Sequence, residues 1–229
     1  MLVAVLVVGA GFEWARLCKL STTLAWIYGV AAAAIYGFLY FLGPDALRAA
    51  FIVAALFWLV AAPLWLSRGV SAAARSVLVP VGLIVVVPAA LALAAVPGKD
   101  VLLVLILVWI ADTAAYFVGR AWGRRKLAPS ISPGKTWEGA AGGVLGALAY
   151  AIICGSFLGG IAWAPLVAAA MVLAALSIVG DLFESAAKRQ AEVKDSGALL
   201  PGHGGILDRI DSATAVLPVA GLLLSLSHP

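Results

Sequence analysis

Charge is what this 229-residue sequence has least of: Asp, Glu, Lys and Arg make up 11% of it, where a soluble domain carries about a quarter. Hydrophobic residues fill 64%, and the mean hydropathy is +1.11. A soluble globular domain is thereby excluded, and an integral membrane protein remains. Cysteine is nearly absent. Cys18 and Cys154 lie near or within apolar runs, offer no disulfide framework and no metal-ligand spacing, and read as small buried hydrophobes. His203 has neither a second His at helical spacing nor a nearby Cys, which excludes a zinc site. The alternation of a membrane β-barrel is missing, as is the G-x-x-x-x-G-K-[ST] loop of nucleotide kinases. The net charge of +4 comes from basic residues between apolar runs, so it speaks of topology and not of nucleic acid.

What is present is a series of apolar runs near the length of about 20 residues that a span needs. They fall near 2–15, 24–42, 49–66, 76–96, 101–119, 139–159, 161–180 and 205–226, which predicts an all-α, polytopic helical bundle of about eight spans in a single domain. Residues 1–100 are expected to form a helical scaffold, and 101–229 the half expected to carry the site, with polar loops at 120–138 and 181–204. The first run is the weakest, being short and carrying Glu13. Small residues four apart (Gly139 and Gly143, Gly142 and Gly146) favour close helix packing. Segments after the odd-numbered runs hold twelve Lys and Arg, against two (Arg48 and Lys99) after runs two and four. The positive-inside rule puts the first group in the cytoplasm, with both polar loops on that side. The same orientation starts the chain outside the cytoplasm without a signal peptide, so one further span ahead of residue 1 is expected; the rival reading is that the first run does not cross.

Ionisable groups at a membrane edge are costly and therefore mark function. Asp208 and Asp211, three apart before the last span, present their carboxylates on one side of a helix, and Asp181 ends the run before it. Such a set suits a hard cation shared with phosphate oxygens, in the manner of Mg²⁺; a helix cap is the plainer alternative. Asp181, Glu184, Ser185 and Lys188 share a stripe if the helix continues. Pro201-Gly202-His203-Gly204-Gly205 is a loop whose N–H groups suit an anion. Upstream, Asp112 lies inside a span with Tyr116 one turn on, followed by Arg120, Arg124, Arg125 and Lys126. Pro133-Gly134 predicts a turn, with Lys135 and Thr136 placed to meet phosphate.

Taken together, Ser185-x-x-Lys188-Arg189, Lys194-Asp195-x-Gly197, Pro201-Gly202-His203-Gly204-Gly205 and Asp208-Arg209-x-Asp211 resemble the signature of the phosphatidate cytidylyltransferase (CDP-diacylglycerol synthase) family. Asp112-x-x-Ala115-Tyr116-x-x-Gly119-Arg120, Ser132-Pro133-Gly134-Lys135-Thr136-x-Glu138-Gly139 and Glu13-Trp14-Ala15-Arg16 resemble it too. The resemblance implies a multi-pass enzyme of the plasma (inner) membrane that joins CTP and phosphatidic acid, giving CDP-diacylglycerol and pyrophosphate with Mg²⁺; a second cation and a homodimer are left open. It implies catalytic roles for Asp181, Ser185, Lys188, Arg189, Lys194, Asp195, His203, Asp208 and Asp211. Asp181, Asp208, Asp211 and Asp112 would hold the metal, and Tyr116, Arg120, Ser132, Lys135, Thr136, Glu138, Gly204, Gly205 and Arg209 the substrates. The alternatives are a CTP-dependent cytidylyltransferase or kinase acting on another lipid, and a membrane transporter, against which stands the lack of an internal repeat.

Overall fold

The computed structural model describes residues 1–68, 75–158, 162–197, 199, 202 and 204–227. Their elements are α1 (Leu2–Leu17), α2 (Thr22–Leu42), α3 (Pro44–Leu56), α4 (Ala62–Ser67), α5 (Arg75–Ala95), α6 (Gly98–Trp122), β1 (Lys126–Ala128), β2 (Ser132–Thr136), α7 (Trp137–Leu158), α8 (Trp163–Ala191) and α9 (Leu207–Ser227). A π-helical turn, Phe57–Ala61, joins α3 to α4 without a break. Among the described residues seven helices are long and apolar enough to cross a membrane: α2, α3 with α4, and α5 to α9. The chain is a multi-pass helical membrane protein.

The eighth expected span is α1. Its 16 residues are not among those seven helices. Helix α1 buries Glu13 and Trp14 and packs chiefly on α2 and α5. It stops at Leu17, and Lys19 turns the chain in a left-handed conformation (φ 58°).

Two close approaches set the bundle. Helices α6 and α7 meet along the predicted small-residue stripe: a Cβ on Gly139 would lie 2.8 Å from the Ala115 carbonyl oxygen, and one on Gly143 would lie 2.9 Å from that of Ala111. Helices α1 and α2 cross at Gly11 and Gly29, where a Cβ on Gly29 would overlap the Val8 carbonyl. Gly29→Ala is expected to destabilise the protein by about 1–3 kcal/mol, the usual cost of overpacking, read as a lowered unfolding midpoint in detergent.

Helix α9 lies in the middle of the bundle against α3, α5 and α8, with Ala213 to Ala220 all buried. The π-turn brings Phe57 and Trp58 edge-on to Phe183 of α8, each with ring centroids 5.3 Å apart, while Trp65 adds a contact at 5.0 Å and Trp14 one at 6.0 Å. This aromatic nest holds the part of α8 that carries Asp181, Glu184 and Lys188. Trp14 Nε1 also donates to the Leu78 carbonyl at 2.8 Å. Trp14→Phe leaves that buried carbonyl short of a donor, so a loss of about 1–3 kcal/mol is expected in thermal unfolding.

Two local expectations are corrected. The predicted turn at Pro133-Gly134 is absent: both residues lie in β2, and the chain reverses at 129–131. Strand β2 pairs antiparallel with β1, Lys126 opposite Thr136 and Ala128 opposite Ser132, with a bulge between. A two-stranded ribbon leaves edge positions without partners, and there the missing N–H of Pro133 is tolerated. The polar segment 181–204 is not a loop throughout, because α8 runs on to Ala191 and ends with Glu192 in a left-handed conformation (φ 64°).

Candidate active site

A cavity of about 430 Å³ opens where α6, β2, α8 and α9 meet. Asp112, Tyr116 and Arg120 reach it from α6, Ser132, Lys135 and Thr136 from β2, Asp181 from α8 and Asp211 from α9. Eight of the residues singled out in the sequence thus converge from four elements. The hairpin is seated by Thr136, which is buried and whose Oγ1 accepts the Gly139 N–H at 3.1 Å, an N-terminal cap for α7. Glycines at 119 and 139 let α6 and α7 close around that side chain, since a Cβ on either would stand 3.0 Å from Thr136 Oγ1.

Each acid in the cavity is held by one or two neighbours. Lys135 Nζ lies 2.6 Å from Asp181 Oδ2, and Ser185 Oγ donates to Asp181 Oδ1 at 3.3 Å. Ser177 Oγ donates to Asp112 Oδ1 at 2.9 Å. Asp211 Oδ1 accepts the Ser212 N–H at 2.7 Å. Asp112, Asp181 and Lys135 line the same cavity as Asp211. Arg120, which donates to Tyr116 Oη at 2.8 Å, is the other cation on the cavity wall. Among the described residues, three carboxylates and two cations therefore line one cavity.

No three His, Cys, Asp or Glu side chains among the described residues form a ready metal cage. Mg²⁺ asks for less, since it binds through one or two carboxylates and takes its other oxygens from water and substrate phosphates. The all-oxygen donor set of Asp112, Asp181 and Asp211 fits that ion.

Asp208 is placed elsewhere. Its Oδ1 lies 2.7 Å from Lys188 Nζ, and its Oδ2 accepts the backbone N–H groups of Ser196 and Gly205 at 2.9 Å and lies 3.0 Å from Ser196 Oγ. Asp208 and Asp211 thus do not act as one pair, because the first is taken up by the loop before α9 while the second lines the cavity. The N–H of Gly205, expected to face a ligand anion, already serves Asp208. Lys188 stands between Asp208 and Glu184, whose Oε1 is 3.2 Å away. Their side chains are only 15%, 7% and 5% exposed, so the Glu184–Lys188 pair is a buried counterion and not a surface ornament.

The remaining predicted residues serve nearby structure or stand apart from the cavity. Glu138 accepts the N–H groups of Arg124 and Arg125, at 3.1 Å for the shorter bond to Arg124, and so ties the hairpin to α7. Arg189 Nε donates to the Ile131 carbonyl at 3.3 Å. Lys194, Asp195 and Arg209 are exposed, and Asp195 lines a separate pocket with Arg16 and Lys19. Gly204 takes a left-handed φ of 82° beside Asp208. His203 and Pro201 lie outside the described residues. Three further residues were not singled out for the site: Glu13, Ser196 and Ser177. Glu13 carried two signals, a carboxylate inside an apolar run and its place in the family-like Glu13-Trp14-Ala15-Arg16 stretch; the two serines carried none.

The sequence profile of the Cytidylyltransferase family matches residues 1–227. The chain is 41% identical over 232 residues to "Phosphatidate cytidylyltransferase" of Pseudomonas aeruginosa, covering 96% of this chain and 85% of that protein. It is 52% identical over 122 residues to the Haemophilus influenzae protein of the same name and 48% over 122 residues to that of Bacillus subtilis. Those matches cover 51% and 53% of this chain, and they span less than half of the relatives, 42% and 45%. With a profile that runs from α1 to α9 and one relative aligned along almost its whole length, the chain belongs to the cytidylyltransferase family.

Proposed function

We propose that the chain transfers the cytidylyl group of CTP to phosphatidic acid, releasing pyrophosphate and forming CDP-diacylglycerol. The observation that carries this reading is the cavity in which Asp112, Asp181 and Asp211 face Lys135 and Arg120 at one end of an otherwise apolar bundle. The positive-inside bias supports placing that end at the cytoplasmic face, where CTP is available, while the acyl chains stay among the helices.

In the transfer, an oxygen of the lipid phosphomonoester forms a bond to the α-phosphorus of CTP. The bond from that phosphorus to the bridging oxygen of the β-phosphate breaks, and pyrophosphate leaves with the electron pair. No covalent enzyme intermediate is needed, because the attacking oxygen is already anionic. The difficulty is the meeting of two polyanions, so catalysis rests on positioning and charge compensation. Lys135 and Arg120 supply fixed positive charge, and an arriving phosphate competes with Asp181 for Lys135. Ser132 and Thr136 offer hydroxyls beside them. One or two of the carboxylates Asp112, Asp181 and Asp211 would hold Mg²⁺, which when bound compensates phosphate charge and stabilises the leaving pyrophosphate. Glu184 and Asp208 keep Lys188 charged and in place next to this machinery.

The test is the fate of two labels in protein reconstituted into lipid nanodiscs with phosphatidic acid and Mg²⁺. Label at the α-phosphate of CTP is expected in the lipid and label at the γ-phosphate in pyrophosphate. Lipid labelled from the γ-position would identify a lipid kinase instead, and unlabelled lipid from both would reject CTP-dependent transfer to this acceptor.

A further inference from the structure

The geometry points to Glu13 as a positioning residue for this transfer: from α1 it clamps Ser196, Ile206 and the first turn of α9, and so sets where Asp211 meets the cavity. The inference rests on the proposed reaction, but the clamp is built from contacts of its own. Glu13 is 1% exposed. Its Oε1 accepts the Ile206 N–H at 2.9 Å, and its Oε2 accepts the Leu207 N–H at 2.9 Å and lies 3.1 Å from Ser196 Oγ. The amides at a helix start have no intrahelical acceptor, and a carboxylate there also meets the positive end of the helix dipole.

Ser196 joins this clamp to the Asp208 cluster. Its Oγ stands between Glu13 Oε2 and Asp208 Oδ2, at 3.1 and 3.0 Å, and its single proton serves one of them at a time. The loop glycines make the space: a Cβ on Gly197 would lie 2.7 Å from Glu13 Oε1, and one on Gly205 would overlap Ser196 Oγ. On its other side α9 abuts α8, where a Cβ on Gly180 would stand 2.8 Å from the Asp211 carbonyl oxygen. Held by Glu13 at its start and by Gly180 one turn later, α9 has one axial position, and Asp211 rides on it.

Capping the Ile206 and Leu207 N–H groups explains an acceptor at position 13 but not a charged one. A neutral amide would also accept from them, without the several kcal/mol that burying an ionised carboxylate costs. The charge gains a purpose when the parts it fixes must meet a reacting group within a fraction of an ångström.

The experiment compares Glu13→Gln with Phe51→Leu, a buried residue of α3 that packs on Gly221 near the far end of α9, away from the cavity. Gln keeps the shape but offers one acceptor oxygen and presents an NH₂ to N–H donors. Three readouts are taken in nanodiscs: the unfolding midpoint, hydrogen exchange of peptides across 193–211, and kcat and KM for cytidylyl transfer. Glu13→Gln is expected to speed exchange within 193–211 while α2, α6 and α7 keep their protection, and to lower kcat roughly 10- to 100-fold, the scale of removing a supporting partner from a catalytic group. Phe51→Leu is expected to lower the midpoint with kcat unchanged. Glu13→Gln with wild-type kcat would overturn the inference, as would faster exchange spread evenly over the bundle as in Phe51→Leu. A wild-type chain with no transfer activity would reject the reaction, and the exchange comparison would then decide the clamp by itself.

Discussion

Asp181→Asn and Asp211→Asn are each expected to lower CTP-dependent labelling of phosphatidic acid by roughly a hundredfold or more without unfolding the protein. The size follows from what a metal-and-carboxylate site supplies: several kcal/mol of charge stabilisation in the transition state, at about 1.4 kcal/mol per decade of rate. The two variants should differ in kind. Asp181→Asn removes the partner that stands 2.6 Å from Lys135 Nζ, so the lysine is left free to hold phosphate. Asp211→Asn leaves that pair intact and takes away a carboxylate that lines the cavity with Asp112 and Asp181. Substrate binding should therefore survive better in Asp181→Asn, and a titration of KM for CTP against kcat for both variants checks it. Rates within about threefold of wild type for either variant would mean that its carboxylate takes no part in the reaction, since ~0.7 kcal/mol is too little for a catalytic ligand.

The second large effect is on stability. Lys188→Met is expected to destabilise the protein by about 3–5 kcal/mol, the usual result of removing one partner from a buried ion cluster. Glu184 and Asp208 would be left facing each other with their side chains 5% and 7% exposed and their shared cation gone. The cost is mainly that of the two stranded charges, so it should be recoverable. Adding Glu184→Gln to Lys188→Met is expected to return much of the loss, giving a coupling well above the ~0.5 kcal/mol scatter of independent sites. Unfolding midpoints of the single and double variants in one detergent measure this directly. Additive losses would show that the Glu184–Lys188 contact carries no net stability.

The membrane class and most of the cavity were legible in the sequence because of one physical asymmetry. A charge in an apolar run is expensive, so Asp112 and Asp181 stand out with no knowledge of their partners. The glycine stripe at 139, 142, 143 and 146 was legible for a similar reason, as a local pattern with one structural use. What stayed hidden depends on direction and distance. Asp208 and Asp211, three apart on one helix, looked like a pair, yet the loop before α9 supplies three donors to Asp208 and none of that loop geometry is written locally. The Pro133-Gly134 dipeptide favoured a turn, but pairing of 132–136 with 126–128 outweighed it. Asp181 looked like the end of a span, whereas α8 continues for ten residues because its polar face has Lys135, Asp208 and Ile131 to meet. Glu13 was visible as a charge and unreadable as a clamp, since its partners lie more than 180 residues away.

The most direct test of the account is whether the substrates occupy the cavity bounded by Asp112, Lys135, Asp181 and Asp211. A single cysteine introduced by Ser132→Cys on the cavity wall, in a Cys154→Ala background, gives a thiol whose rate of alkylation can be followed. The remaining native cysteine is buried, and burial pushes its thiol up to about 11, so it contributes little thiolate. The account predicts that CTP with Mg²⁺ slows alkylation at position 132 severalfold and that phosphatidic acid slows it further. An alkylation rate unchanged by saturating amounts of both would contradict it, and would move the site of reaction away from this cavity.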